Sequence, residues 1–366
     1  MEHDKDQHRT IAAIGLMSGT SMDGIDAALI ETDGRSIKRF GPVCSVAYDE
    51  LFRRRLRAML GWKPDDDAEW AEIGRVLTEK HIEIVQQLLD ENGLEPASIN
   101  VIGFHGHTVW HSPEDGETYQ IGDGALLARA TGIPVVNDFR IADVAAGGQG
   151  APLASLYHGA LAHDLEKPLA VLNIGGVANV TWLGSDDRFL AFDTGPGNGL
   201  IDDWVLLTIN QAMDEGGRLA KDGRVDDAVL EKLLDHPYFE QVPPKSLDRL
   251  DFSFEPASGL TPEDGAATLT AFTAEAVRKA QAFFSEKPNR WLVCGGGRHN
   301  GTLMNYLRQS LDAPVEPVEV VGWSGDALEA QAFGFLAVRS LYGLALTLPT
   351  TTGVAQPLTG GVLHKP

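Results

Sequence analysis

Positive charge is scarce in this chain. Its 366 residues carry 30 Lys and Arg against 52 Asp and Glu, a formal net charge of −22. Nucleic acid and anionic membrane surfaces need a basic footprint, so neither is expected as a partner. A single nucleotide needs only a local site and is not excluded. Cysteine is almost absent: Cys44 and Cys294 provide neither a disulfide framework nor a Cys-based metal site, which fits a reducing compartment. No run approaches the roughly 18–20 apolar residues of a spanning helix, and Met1 to Thr10 lacks the apolar core of a signal peptide. A cytoplasmic location is therefore expected. Two phosphate-binding signatures are missing as well: there is no G-x-x-x-x-G-K-[ST], and no G-x-G-x-x-G opens a βαβ unit. What is abundant is apolar sequence (43%) and glycine, 40 residues gathered into short motifs. That describes a globular chain, long enough for two domains, whose loops approach ligands.

The densest motif is Ile14-Gly15-Leu16-Met17-Ser18-Gly19-Thr20-Ser21-Met22-Asp23-Gly24-Ile25-Asp26. Apolar stretches lead in and out, which predicts a β-hairpin. Its turn combines two glycines, three hydroxyls and carboxylates. A plain hairpin with a helix-capping Ser or Thr accounts for Gly-Thr-Ser alone, but not for the whole set. Backbone N–H groups and the hydroxyls of Ser18, Thr20 and Ser21 suit phosphate oxygens. An added Cβ at Gly24 would fill the space a phosphate needs. Asp23 can hold Mg²⁺, directly or through water.

A helix after residue 66 and the strand Ile99 to Phe104 form a strand–helix–strand unit, so the first domain is α/β. At the strand's carboxyl end, where ligands usually bind, stands His105-Gly106-His107-Thr108-Val109-Trp110-His111. A metal centre on His105, His107 and His111 competes with a polar loop lining a cleft, and the loop is the better reading. Asn137-Asp138-Phe139-Arg140 ends another short strand. Arg140 can clamp a carboxylate with two parallel hydrogen bonds, or pair with an Asp to hold a loop. Gly147-Gly148-Gln149-Gly150 reads as a flexible crossing into the second half.

The opening pattern then repeats in form: Leu169 to Ile174 is apolar, Gly175-Gly176 turns it, and Val177 to Leu183 runs back. A third strand leads to Phe192-Asp193-Thr194-Gly195-Pro196-Gly197-Asn198. Asp193 is placed either as a general base or as a helix N-cap. Asn198 lies closer to the helix start, and that helix should carry Ile201, Trp204, Leu207 and Ile209 into the core. Lys245, in Pro243-Pro244-Lys245-Ser246, is placed as a solvated charge in preference to a phosphate ligand. Gly295-Gly296-Gly297-Arg298-His299-Asn300 is a strand-to-helix turn against which a flat ring could lie. Asp326 is a plausible cap for the last helix with Glu329 in a capping-box position, and a sugar-hydroxyl role for Glu329 competes.

Five of these motifs, in this order, resemble the anhydro-N-acetylmuramic acid kinase family: Met17 to Gly24, the His105 segment (with His107 where the family often has Gln), Asp138-Phe139-Arg140, Phe192 to Asn198, and Gly295 to Asn300; Asp326 to Phe333 adds a sixth. The resemblance implies a two-domain actin-like (ribonuclease H-like) α/β fold with a nucleotide cleft between the domains. The domains are expected at 1–140 and 141–339, with the tail over about 340–366 a candidate to return to the first. It implies an ATP- and Mg²⁺-dependent kinase that opens the 1,6-anhydro ring of 1,6-anhydro-N-acetylmuramic acid with water and phosphorylates O6, a step of peptidoglycan recycling. Asp193 would be the base. Gly19, Thr20, Ser21, Met22, Asp23, Gly24, Ile25, Asp26, Gly175, Gly176, Gly295, Gly296, Gly297 and Asn300 would meet ATP. His105, Thr108, Asp138, Arg140 and Glu329 would meet the sugar. A homodimer is the expected assembly. The alternative of another class is an actin-like nucleotide-binding module without sugar kinase activity.

Overall fold

The computed structural model describes residues 8–19, 22–63, 68–186 and 188–366. Contacts divide the chain into two compact units: residues up to Asp164 together with Ala327–Pro366, and Leu165–Asp326.

In the first unit, β1 (Ile11–Met17) and β2 (Gly24–Thr32) are antiparallel, with Met17 opposite Asp26 at the turn. β3 (Ile37–Ala47) extends the sheet beyond β2. On the other side β4 (Val101–Phe104) lies parallel to β1. A hairpin of β5 (His107–Ser112) and β6 (Glu117–Ile121) stands apart, and β7 (Val135–Asn137) runs parallel to β4. The C-terminal strand Val362–His364 closes the edge against β7. β4 is buried along its length and β1 from Ala13 onward, as apolar runs in a sheet covered on both faces must be.

The helix Leu328–Leu341 lies on this sheet without side chains between the two backbones. Gly15 and Gly103 are direct partners across β1 and β4. A Cβ on Gly15 would fall 1.7 Å from the Ala330 carbonyl oxygen, and one on Gly103 would fall 2.0 Å from that of Phe333. The small residues Ala330, Gly334 and Ala337 complete the seam from the helix side.

The second unit has β8 (Leu169–Ile174), β9 (Val177–Leu183), β10 (Phe189–Pro196), β11 (Trp291–Cys294) and β12 (Val315–Pro317), in the order β10-β9-β8-β11-β12. The first unit reads β3-β2-β1-β4-β7. Both therefore run third-second-first-fourth-fifth, with an antiparallel hairpin first and parallel strands after it. The repeat of form seen in the sequence is a repeat of topology, and the α/β fold class expected of the chain holds.

Two details differ from expectation. Residues 141–164 and 327–339 pack in the first unit, so the observed divisions fall at Asp164 and Asp326. The reason is local: the loop after residue 146 is held down. Asp143, itself buried, accepts from the Gly150 N–H (2.6 Å) and the Thr352 hydroxyl (2.6 Å). The helix Gly199–Ile209 buries Leu200, Ile201, Trp204 and Val205, while Leu207 is 69% exposed. The helix therefore turns a different stripe inward than the apolar spacing indicated.

Candidate active site

The turn after β1 is organised by Ser18. Its buried hydroxyl lies 2.7 Å from the Tyr48 hydroxyl and 3.0 Å from His107 Nδ1. This single side chain ties the turn to β3's end and to the His105–His111 segment. The Met22 N–H donates to the Gly19 carbonyl (3.0 Å), and Met22 itself is fully buried with φ +56°. Asp23 is exposed, and its carbonyl accepts from the Tyr48 N–H (3.0 Å). Ile25 points into the core. Asp26 sits on β2 and accepts from the Ser45 hydroxyl (2.5 Å). Thr20 and Ser21 lie outside the described residues. Gly24 corrects the sequence reading: an added Cβ would stand 2.3 Å from the Val46 carbonyl oxygen. The space it leaves is occupied by β3, so the strand pairing is what requires glycine there.

His105 is buried at the end of β4. Its Nδ1 donates to the Gly106 carbonyl (3.0 Å), so its Nε2 is the acceptor for Arg140 Nη2 (3.0 Å). Burial first, and then the Arg140 charge, hold this imidazole well below its ordinary pKa, so it is neutral. Arg140 Nη1 donates to the Gly150 carbonyl (2.6 Å). His111 Nδ1 bonds Thr118 Oγ1 (3.0 Å), and burial with the Arg140 charge lowers it to about 4. Among the described residues no group of three or more His, Cys, Asp or Glu is arranged to hold a metal. His105, His107 and His111 each hydrogen-bond within this polar loop and its neighbours. Thr108 accepts from the Gln120 amide (3.4 Å). Asp138 is half-buried at φ +55°, and burial pushes its carboxyl up, partly offset by His364. The unit thus brings together the β1 turn, His107, His105 and Arg140, with Asp138 two residues from Arg140.

In the second unit, Asp193 occupies a bulge where β10 shifts register against β9. It is 4% exposed. Its Oδ2 accepts from the Leu247 N–H (2.8 Å), its N–H donates to the Lys245 carbonyl (3.1 Å), and its carbonyl accepts from the Tyr238 hydroxyl. Asn198 holds the N-cap position of the following helix, so Asp193 is not that helix's cap.

The Gly175-Gly176 turn is clamped by backbone. Gly197 and Gly199 donate to the Gly176 carbonyl (3.0 and 3.1 Å), and Asn198 donates to that of Gly175 (2.7 Å). The Gly295 loop packs on the same hairpin. A Cβ on Gly295 (φ +74°) would meet Asn173 Oδ1 at 2.4 Å, and one on Gly297 would meet the Ile174 side chain at 2.4 Å. Only Gly296 faces open room, with Asn198 Nδ2 at 3.8 Å. Asn300 caps the helix Gly301–Ser310 by accepting from the Leu303 N–H (2.9 Å). These glycines and Asn300 answer first to packing, and Gly296 is the residue of the motif that leaves space.

Two expectations about charges fail. Asp326 does not cap the helix Leu328–Leu341, whose N-cap is Ala327 with no side-chain bond. It pairs instead with Arg298 (2.7 Å), which also holds Glu319 (2.9 Å) and the Gly295 carbonyl (3.0 Å). Glu329 is half-buried in the first turn of that helix. Lys245 is no solvated charge: it is 5% exposed, and its ammonium donates to the Tyr238 carbonyl (2.8 Å). The rings of Tyr238 and Phe283 lie 4.3 and 4.8 Å away. Sequence reading missed Tyr238 altogether. No spacing rule links residues 193, 238 and 245, because only the fold brings them together.

The sequence profile of the anhydro-N-acetylmuramic acid kinase family matches residues 11–366. A protein of that name from Rhodospirillum rubrum is 59% identical over 351 residues, covering 95% of this chain and 93% of its own. Its namesake from Paramagnetospirillum magneticum is 55% identical over 357 residues, covering 97% and 99%. Among solved structures, the activator of the 2-hydroxyisocaproyl-CoA dehydratase from Clostridium difficile with bound ADPNP is similar with a TM-score of 0.45 and 13% identity, covering 92% of this chain and 96% of that one.

Proposed function

The chain belongs to the anhydro-N-acetylmuramic acid kinase family, and on that premise we propose that it opens the 1,6-anhydro ring of 1,6-anhydro-N-acetylmuramic acid and phosphorylates O6 in one reaction. It is a kinase, acting on a sugar with ATP. The proposed balance is anhydro sugar, ATP and water in, N-acetylmuramic acid 6-phosphate and ADP out. Asp193 takes a proton from water as the water oxygen bonds to C1. The C1–O6 bond breaks, and O6 keeps its electron pair and attacks the γ-phosphorus. The bond from that phosphorus to the β–γ bridging oxygen then breaks to release ADP. The proton on Asp193 returns to solvent.

The observation that carries this reading is Asp193 itself. A buried carboxylate with one oxygen fixed by the Leu247 N–H at 2.8 Å is held in orientation, as a general base must be. In the first unit, the turn around Gly19 is assigned to the phosphates, and His105, Thr108, Asp138, Arg140 and Glu329 to the sugar. Neutral His105 and charged Arg140 suit a polar, partly anionic ligand. The second unit's Gly175-Gly176 and Gly296 are assigned to the nucleotide, where an open glycine permits close approach.

A bound Mg²⁺ would neutralise phosphate charge. The donor set fits it: Asp23 is an exposed oxygen donor on the turn, and Mg²⁺ takes one or two carboxylates while keeping waters. Asp23 is the residue assigned to hold it.

The site of action proposed is the cytoplasm, in peptidoglycan recycling, as a homodimer without nucleic-acid or membrane partners. No helix among the described residues is long and apolar enough to cross a membrane, and both cysteines are buried and outside any disulfide. The test is to incubate the protein with ATP, Mg²⁺ and the anhydro sugar in ¹⁸O-labelled water. The expected product is the 6-phosphate with one ¹⁸O at C1. A phosphorylated product without label, or ATP hydrolysis without a sugar phosphate, would overturn it.

A further inference from the structure

The closed ring of contacts around Asp193 has a member that the reaction does not use. Lys245 is a buried ammonium, and its side chain meets aromatic rings: Tyr238 at 4.3 Å, Phe283 at 4.8 Å and Phe192 at 5.9 Å. A cation held over ring faces and out of water is worth more than one at the surface. Its ammonium also donates to the Tyr238 carbonyl at 2.8 Å. The same two residues grip Asp193 by other atoms. The Lys245 carbonyl accepts the Asp193 N–H, and the Tyr238 hydroxyl donates to the Asp193 carbonyl. Two residues beyond Lys245, Leu247 gives its N–H to the Asp193 carboxylate.

We propose that Lys245, locked against Tyr238, is the positioning residue that fixes the segment carrying the Leu247 N–H and so holds the Asp193 carboxylate in its working orientation. The inference rests on the reading of Asp193 as the base. Its physical basis is leverage. The segment from residue 243 to 247 is a loop, and loops hold a donor in place only when something anchors them. The caged ammonium is the anchor: it belongs to the same residue whose carbonyl takes the Asp193 N–H, and it lies two residues from the amide that donates to the carboxylate. The titratable groups that bear on Lys245 and Tyr238 are Glu240, Asp251 and Asp193 itself. Burial lowers the Lys245 ammonium to about 8, so it is mostly charged at neutral pH.

The test is Lys245→Met, which keeps an apolar stem among the rings and removes the ammonium. The expected result is a kcat about tenfold lower, with KM for ATP and sugar little changed, since misplacing a catalytic group penalises the transition state. The acid limb of the kcat profile should also move to higher pH, because a carboxylate that loses a backbone donor is easier to protonate. A folded Lys245→Met with wild-type kcat, or with a lower kcat and an unmoved acid limb, would overturn the proposal. Tyr238→Phe keeps the ring over the ammonium and removes only the hydroxyl, and it should show the same kcat-selective loss if Lys245→Met does not fold. A Tyr238→Phe protein with wild-type kcat would then overturn the proposal. Asp193→Asn measured alongside separates the two readings. Retained turnover there removes the base, whereas an inert Asn variant beside a normal Lys245→Met removes only the anchor.

Discussion

The two units share a strand order, and each opens on a hairpin, yet the hairpin turns are held in different ways. In the first unit the turn is held by side chains: Ser18 reaches Tyr48 and His107, residues 30 and 89 positions away. In the second it is held by backbone, with Gly197, Asn198 and Gly199 donating to the carbonyls of Gly175 and Gly176. The buried charge also differs. The first unit keeps imidazoles neutral, whereas the second keeps a carboxylate and an ammonium close in sequence to each other's backbone partners. One scaffold, used twice, has been given polar side-chain control in one copy and a preorganised carboxylate in the other. That division is what the proposed reaction asks for, in which the first unit would meet phosphate and sugar groups and the second would activate water.

The largest effect that would break this comparison is at Asp193. Its amide isostere, Asp193→Asn, can still accept from the Leu247 N–H but cannot take a proton. Turnover should fall about 10²–10⁴-fold, with ATP and sugar binding retained by calorimetry. Near-normal kcat would place the base elsewhere and leave the second unit without its distinctive task.

Glycine substitutions come next, because they separate the two turns by packing. Gly24→Ala puts a Cβ 2.3 Å from the Val46 carbonyl oxygen, a backbone atom that cannot swing aside. The expected loss is about 3 kcal/mol of stability by urea titration. Gly175→Ala meets only the Val177 carbonyl oxygen at 3.7 Å, ordinary contact, and should fold within about 0.5 kcal/mol of wild type. Equal stability of the two variants would erase the distinction between a turn glycine pressed against a neighbouring backbone and one with room for a Cβ.

That contrast also shows what the sequence could and could not reveal. The hairpins, the duplicated form and the strand-end position of Asp193 were legible, because they are written in local periodicity and glycine placement. The reason for Gly24 was not: it depends on Val46, which a flexible loop could have put anywhere. The same holds for Lys245. A lysine between prolines and a serine reads as surface, and nothing nearby announces that Tyr238 and Phe283 will enclose it. Asp326 looked like a cap because Asp-x-x-Glu is a capping pattern, but Arg298, 28 positions earlier in the chain, took the carboxylate first. Gly15 and Gly103 were visible as residues, and only the pairing of β1 with β4 makes them one seam.

A smaller effect probes the polar turn. Ser18→Ala removes both hydroxyl bonds, to the buried Tyr48 hydroxyl and to His107 Nδ1, at a cost of about 1–3 kcal/mol. Asn198→Ala in the second unit removes only a long amide contact to the Ile174 carbonyl (3.4 Å), while its backbone N–H still holds Gly175. Its stability cost should stay near 0.5 kcal/mol. Similar urea midpoints for the two variants would mean that side chains do not hold the first turn.

The smallest effect is in titration, where the units should respond at opposite ends of the pH scale. In the first unit burial lowers His81 and His111 to about 4 and His158 to about 3. The unfolded chain binds protons at these sites as pH falls below about 6.5 while the folded chain does not, so their contribution is complete above 6.5 and shrinks on acidification. Above pH 7.5 they are neutral in both states and contribute no slope. Lys245 acts there instead. Its folded pKa, near 8, lies below the ordinary 10.5, so between those values the unfolded chain holds the extra proton. Stability must then rise with pH, by less than about 1 kcal/mol between pH 7.5 and 8.5. The rise should vanish in Lys245→Met, while the acid-side loss from the imidazoles persists unchanged. Paired urea titrations of wild type and variant at pH 6, 7.5 and 8.5 measure both arms. An alkaline gain that survives Lys245→Met would show that the buried ammonium is not its source, and that the units do not differ in charge as their interiors indicate.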